Sequence, residues 1–377
     1  MFFTARQAMA SRTAARAVIA RHAVWQSLKL LGRRGSPVSP QRILVAHHLL
    51  LGDTLLLTPL LAKLRECHPQ AEIVLTVPLP IAPLYEKRPY SVTAWPFDPR
   101  ESATLKPMLA NSGFDLALVP ADNRYSWLAL ALGSRWIIAH SGDRPAYKSW
   151  PVDRLVPYPA IPAAWGDIVA ELIPGPEPSP YRPSDWPAPG CTPFDLPRSP
   201  YCVLHVGASS PLKFWGREKW LALTPYLTGR GFEVVWSGGR GEEATVGAID
   251  AEGRHLSYAG KLDLPQLWRL IERAALLVCP DTGVAHLGRI IGTPTVTLFG
   301  PGSALIYGAG KFWRDVPYRA ATIENFPCRD QPIIFKREIE WVRRCERTLA
   351  ECAAPACMEA IDFDMVRAAV EGLLPQT

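Results

Sequence analysis

The chain has 377 residues, of which 48% are apolar, 20% charged and 13 are Trp, enough apolar material for a large buried core and too much chain for one average domain. No run of about 18 uncharged apolar residues occurs, which argues against a membrane-crossing helix, and the apolar fraction excludes a disordered chain. The net charge is +6, but residues 1–40 hold Arg6, Arg12, Arg16, Arg21, Lys29, Arg33 and Arg34 and no acid. The rest of the chain is therefore slightly acidic and offers no broad basic surface to nucleic acid.

Thr4 to Leu31 alternates Ala, Val, Ile, Leu and Trp with regularly spaced cations. This is the composition of a basic amphipathic helix that lies on an anionic membrane surface, giving a peripheral contact through residues 1–35. An unstructured leader and a transit peptide share that look, whereas Arg6, Arg12, Arg16 and Arg21 break the apolar run that a secretory signal needs.

From Arg42 a strand, glycine turn and helix alternate. Arg42–Ala46 reads as a buried strand, the turn carries Gly52, and Thr54–Cys67 reads as a helix. Glu72–Val77 and Asp115–Val119 are further strands and Tyr125–Leu132 a helix. Pro174 to Pro200 then packs ten prolines into 27 residues, which reads as an extended linker. The alternation restarts with strands at Tyr201–Val206, Phe232–Trp236, Leu276–Cys279 and Thr295–Phe299, and helices at Arg217–Leu227, Leu264–Ala274 and Thr282–Ile291. The expected organisation is a basic leader over 1–40, a Rossmann-like domain over 41–173, the linker over 174–200, a second Rossmann-like domain over 201–320 and a tail over 321–377. Two such domains are expected to face a central cleft, and ligands of open α/β sheets bind at the carboxyl ends of the strands. Within the tail, Phe335–Leu349 reads as a charged amphipathic helix.

Eight Cys fall short of a disulfide scaffold. Cys67, Cys191, Cys202 and Cys279 are scattered. Cys328, Cys345, Cys352 and Cys357 are grouped, but their spacing lacks the C-x-x-C pairs of a zinc site, which leaves free thiols, a disulfide and a metal all open.

Three strand-to-helix turns carry polar chemistry. In HHLLLGDTLLLTP (47–59), Asp53 suits either a helix N-cap or first-turn acid, or a general base at the end of a strand. In VGASSPLKFWGREKW (206–220), Gly207 and Ala208 allow close backbone approach, Ser209 and Ser210 can donate to phosphate oxygens and Lys213 adds a positive charge. Trp215 and Trp220 also fit a core. In VCPDTGVAHLGRIIGTP (278–294), Asp281 can cap the following helix, whose first turn at Thr282 and Gly283 exposes N–H groups to a diphosphate. His286 shares a helix face with Thr282 and is either a satisfied core residue or part of that anion site. Neither half has G-x-G-x-x-G after its first strand, which argues against a nicotinamide-dependent oxidoreductase.

LGDTLLLTPLL, then GASSPLKFW, SGGRGEE, YAGKLDL and PDTGVAHLGRIIGTPTVTLFGP, over residues 42–302, resemble the heptosyltransferases of lipopolysaccharide core assembly, glycosyltransferase family 9. The resemblance implies a GT-B fold, with an N-terminal acceptor domain and a C-terminal nucleotide-sugar domain. It implies an inverting, metal-independent transfer from ADP-L-glycero-D-manno-heptose to a lipopolysaccharide-type glycan, with no cofactor beyond the co-substrate. It assigns Asp53 as general base, His47 and Gly52 to the acceptor side, and Ser209, Ser210, Lys213, Asp281, Thr282, Gly283 and His286 to donor binding. Glu242 or Glu243 falls where the family has an acid near the ribose. The expected setting is cytoplasmic, peripheral on the inner face of the membrane. Another nucleotide sugar, a protein acceptor, or a binding relative without turnover are the competing readings. The last of these has no reason to retain Asp53, Lys213, Asp281 and His286 together.

Overall fold

The computed structural model describes residues 5–198 and 200–374, with side chains from residue 11. Residues 1–4 of the expected leader, Ser199 of the linker and 375–377 of the tail lie outside the described residues. The chain divides into two compact units. Unit 1 comprises 1–161, 166–179 and 333–340, and unit 2 comprises 162–165, 180–332 and 341–377.

Unit 1 runs α1 (Ala5–Lys29), β1 (Arg42–Val45), α2 (Leu51–Leu55), α3 (Thr58–Cys67), β2 (Glu72–Val77), β3 (Thr93–Pro96), α4 (Leu105–Ala110), β4 (Leu116–Val119), α5 (Ser126–Ala131), β5 (Ile137–His140) and β6 (Arg154–Val156), with α6 (Trp165–Ala170) at its border. The strands form one parallel sheet in the order β3-β2-β1-β4-β5-β6. Its four inner strands, β2, β1, β4 and β5, are buried on both faces, as a sheet covered by helices requires, and the edge strands β3 and β6 are more exposed. The helix expected over Thr54–Cys67 is two helices, because Pro59 sits at the start of α3 where a missing N–H costs nothing; Gly52 and Asp53 both lie inside α2. The expected leader is the helix α1, which packs on α5 and buries Ala15 and Ala23 in the core of unit 1.

Unit 2 runs β7 (Tyr201–His205), α7 (Arg217–Gly229), β8 (Glu233–Ser237), α8 (Glu243–Ile249), β9 (Leu256–Ser257), α9 (Leu264–Glu272), β10 (Leu276–Pro280), α10 (Gly283–Ile291), β11 (Thr295–Phe299), α11 (Ala304–Tyr307) and β12 (Tyr318–Thr322). Its parallel sheet has the order β12-β11-β10-β7-β8-β9, the same doubly wound pattern as in unit 1 with the strands renumbered. Trp215, Trp220 and Trp236 stack edge to face in its core. Burial of each such side chain contributes about 2 kcal/mol or more. α10 ends at Gly292, whose φ of +84° supplies the left-handed cap.

The tail departs from the expected helix over Phe335–Leu349. Ile333–Ile334 (β13) and Arg337–Glu338 (β14) pair antiparallel around a two-residue turn, Phe335 and Lys336, both at positive φ. Charges spaced at helical intervals give the segment its amphipathic look, but tertiary contacts decide: Ile334, Arg337 and Val342 are buried, and Arg337 satisfies its guanidinium inside unit 1. Beyond the hairpin, α12 (Ala356–Glu359) and α13 (Phe363–Glu371) return to unit 2, where Val366 and Val370 join the core.

Candidate active site

In unit 2 the strand order reverses between β7 and β10, which pair directly through Leu276↔Cys202 and Val278↔Leu204. The loops after these two strands therefore emerge side by side, the place where open α/β sheets bind ligands. After β7, Ser209 is exposed, and the Ser210 hydroxyl accepts from the Leu212 N–H at 3.3 Å to start a short turn over Pro211–Lys213. That turn aims Lys213 across to the other loop. Its Nζ donates to the Asp281 carbonyl at 2.8 Å and to Asp281 Oδ2 at 2.9 Å, leaving one of its three N–H bonds for a further acceptor.

Asp281, expected as the helix cap, is not one. The N-cap is Thr282, extended at φ −145° and ψ 169°, and it makes no side-chain capping hydrogen bond. The Asp281 carboxylate is engaged by Lys213 and walled by Gly302, where a Cβ would lie 2.2 Å from Oδ2. Arg329 fixes that wall by donating to the carbonyls of Gly300 and Phe299, both at 2.7 Å. The first turn of α10, starting at Gly283, thus presents the positive end of a nine-residue helix beside an ammonium group.

His286, one turn along α10, is 6% exposed. Burial, with Arg289 and then Lys213 nearby, holds its ring well below the ordinary histidine range, so it is neutral. Its Nδ1 contacts the Arg289 guanidinium, which assigns the proton to Nε2. His286 is no cation for a phosphate. Arg289 is itself tied to the Tyr307 carbonyl and lies over the rings of Trp313 and Tyr318.

Glu242 and Glu243 separate clearly. The Gly239 N–H donates to Glu242 Oε2 at 2.5 Å, and that carboxylate fills the space a Cβ on Gly207 would need, with Oε2 1.7 Å from the ideal position. Glu242 therefore sits over the carboxyl ends of β7 and β8. Glu243 lies against Gly260 instead, beyond β9.

In unit 1 the reversal falls between β1 and β4. Asp53 is a half-buried acid in the first turn of α2, whose N-cap is Leu50, so the N-cap alternative for Asp53 does not hold. His47, assigned to the acceptor side, is 1% exposed: its backbone N–H donates to Thr76 Oγ1 at 2.8 Å and its Nδ1 accepts from the Leu49 N–H at 3.2 Å. Burial, and secondarily His48, lowers its pKa to about 3. The neighbouring ring that reaches the surface is His48, edge-on to Phe97.

The same edge holds a polar cluster that sequence reading missed. Lys148 donates to Asp143 at 2.8 Å and lies 3.0 Å from Asp122. The Asn123 N–H donates to Asp143 at 2.7 Å, and its amide to the His140 carbonyl and the Ser149 hydroxyl, both at 2.8 Å. Arg337 enters from the tail hairpin, 2% exposed, and donates to the Ser141 carbonyl at 2.8 Å and to Asn123 Oδ1 at 2.7 Å. Burial alone would raise the Asp122 carboxyl; hydrogen bonds from the Arg124 N–H and from Lys148 hold it below its ordinary value. No sequence signal pairs Arg337 with a loop 214 residues away.

All eight cysteines stand as free thiols. Among the described residues, no group of three or more His, Cys, Asp or Glu is placed to hold a metal ion.

A family model described as glycosyltransferase family 9 (heptosyltransferase) matches residues 104–330. The chain belongs to that family. Lipopolysaccharide heptosyltransferase 3 of Escherichia coli is 31% identical over 142 residues, 35% of this chain and 40% of that protein. Lipopolysaccharide heptosyltransferase 1 of Pseudomonas aeruginosa is 26% identical over 188 residues, 48% of this chain and 50% of that protein. The chain thus spans half or less of the length of these curated relatives. Among solved structures, a family 9 glycosyl transferase from Veillonella parvula matches with a TM-score of 0.67 at 17% identity, covering 88% of this chain and 97% of the other. The ADP-heptose lipopolysaccharide heptosyltransferase II of E. coli matches with a TM-score of 0.67 at 18%, covering 88% and 98%. These likenesses establish the expected GT-B class of α/β fold. The family match includes Ser209 to His286 and leaves out His47 and Asp53, which precede it.

Proposed function

We propose that this family 9 member is an inverting glycosyltransferase that moves heptose from ADP-L-glycero-D-manno-heptose to a lipopolysaccharide-type glycan on the cytoplasmic side of the membrane, with no metal and no cofactor beyond the co-substrate. The observation that carries the reading is the ammonium of Lys213 held by Asp281 at the uncapped start of α10. Transfer adds one negative charge to the departing diphosphate, and an ammonium beside helix N–H groups stabilises it as it develops. On this reading Ser209, Ser210, Thr282 and Gly283 complete the diphosphate contacts, Glu242 takes the ribose hydroxyls, and neutral His286 supports α10 through Arg289. Asp53 accepts the proton of the acceptor hydroxyl as its oxygen bonds to the anomeric carbon and the bond to ADP breaks, which inverts that centre.

Thermal stabilisation by ADP, UDP, GDP and CMP tests the donor, because a ligand of the native state raises the melting temperature by mass action. ADP alone should stabilise the protein, and Asp281→Ala should lose the effect. Asp53→Asn should keep ADP stabilisation and lose transfer to a glycan acceptor by a factor of about 1,000 or more. Preference for another nucleotide changes the sugar, retained turnover in Asp53→Asn removes the base assignment, and indifference to all four nucleotides overturns the transferase reading.

A further inference from the structure

We propose that the outward face of α1 is a docking surface for an anionic phospholipid bilayer. The inward face is already committed: Ala15 and Ala23 are fully buried, and Gln26, 8% exposed, packs over Gly133. On the opposite side Arg21, Val24, Trp25 and Leu28 recur at i, i+3, i+4 and i+7, so they form one stripe. Val24 is 61% exposed, Trp25 49%, Leu28 69% and Leu31, just past the helix, 79%. Single exposed apolar residues are ordinary on a soluble protein; four in one short stretch are not.

The charges beside the stripe select the occupant. Lys29 Nζ stands 3.4 Å over the Trp25 ring, and Arg21 and Arg33 flank the apolar residues in a segment that holds no acid over residues 1–40. A hollow of about 390 Å³ adjoins them, with Lys29, Arg33 and Arg135 among its walls. Its one carboxylate, Asp115, accepts from the backbone N–H groups of Gln41 and Arg42 and lies 3.8 Å from Arg135, so Lys29 and Arg33 are the cations it leaves unpaired there. Apolar side chains with a Trp at interfacial depth, flanked by cations facing phosphates, match the boundary of an anionic membrane. The helix lies along unit 1 rather than through a bilayer, since no described helix is long and apolar enough to cross one. The inference is independent of the transfer reaction.

Deleting residues 1–35 cannot test it, because Ala15 and Ala23 belong to the core. The test is co-sedimentation of the full chain with vesicles of phosphatidylcholine alone or mixed at roughly 3:1 with phosphatidylglycerol, at about 50 and about 500 mM salt. Partition should favour the anionic vesicles at least tenfold at low salt and fall at high salt. A Trp25→Ser, Leu28→Ser double variant, which changes exposed residues only, should lose at least tenfold in partition with an unchanged melting temperature. Equal binding to both vesicle types, or full binding by the double variant, overturns the proposal. So does a concentration-dependent dimer, seen by sedimentation velocity without vesicles, that the double variant abolishes, since the face would then join two copies of the chain.

Discussion

In unit 2 the strand-reversal edge is completed by Lys213 and Asp281, 68 residues apart on two loops of one sheet, while in unit 1 it is completed by Arg337, 214 residues from its partner Asn123 and delivered by the tail. The first arrangement is a property of the sheet: any chain that winds β7 and β10 side by side brings those loops together. The second is not, because the loops after β4 and β5 would end in unsatisfied carbonyls without a guanidinium from elsewhere. Lys213 and Asp281 are therefore carried by short motifs, while the edge in unit 1 depends on a residue of the tail hairpin.

Acid is the strongest way to break both edges at once. Unit 1 buries His47 and His140 with pKa values lowered to about 3, and unit 2 buries His205, lowered to about 4, and His286, held well below the ordinary histidine range. Burial is the main cause for each. In the unfolded chain these rings return to about 6.5. A group whose folded pKa is depressed stays neutral in the native state while the unfolded state takes up protons. Its contribution is thus complete above about pH 6.5 and is lost as pH falls towards the folded value. Stability from urea unfolding should be nearly level between about pH 8 and 7 and then drop, by on the order of 2 kcal/mol at pH 5 for each of His47, His140 and His205, with His286 adding in the same direction. A flat profile down to pH 5 would show that these rings are hydrated.

Arg337 sharpens the contrast. Arg337→Met leaves the Ser141 carbonyl and Asn123 Oδ1 without their donor, while Asp143 loses the more distant of its two cations and keeps Lys148, which should cost about 3 kcal/mol. It also removes the charge that, after burial, helps lower the His140 pKa. The loss should be read in unit 1 alone: amide exchange of β4 and β5 should accelerate while β7 and β10 keep their protection and ADP keeps its stabilising effect. Equal loosening of both units would mean the hairpin is a general clamp rather than part of one edge.

This asymmetry also explains what could be read from the sequence. The strands at Glu72–Val77 and Thr295–Phe299 announce themselves by apolar runs between glycine and proline punctuation, and both are observed as expected. Thr93–Pro96, Ile137–His140, Arg154–Val156 and Tyr318–Thr322 escaped, because each is only three to five residues long and three of them are edge strands without a continuous apolar run. Lys213 and Asp281 were legible since their loops follow strong strands. The role given to Asp281 was not, because Asp before a helix ordinarily caps it and only the fold shows that Lys213 takes the carboxylate first. His47 read as an acceptor contact because motif position says nothing about which way a ring turns. Arg337 was hidden in a pattern of charges at helical spacing.

The mildest test concerns the Gly207 backbone. A Cβ there would meet Glu242 Oε2 at 1.7 Å and its carboxyl carbon at 2.3 Å, so Gly207→Ala must displace the carboxylate and break its bond from the Gly239 N–H. Glu242 is only half-buried, and the side chain can swing into solvent, which limits the cost to about 1 kcal/mol of stability. The effect on ligands should be selective. If Glu242 holds the ribose, ADP affinity should fall about tenfold, the worth of one charge-assisted hydrogen bond, while pyrophosphate, which has no ribose, should stabilise the variant as well as the parent. Glu243→Gln, altering the carboxylate that lies against Gly260, should change neither. Equal losses for ADP and pyrophosphate would shift the role of Gly207 from placing Glu242 to shaping the phosphate loop itself, and would make the β7 side of the edge as dependent on backbone approach as the α10 side is on its helix N-terminus.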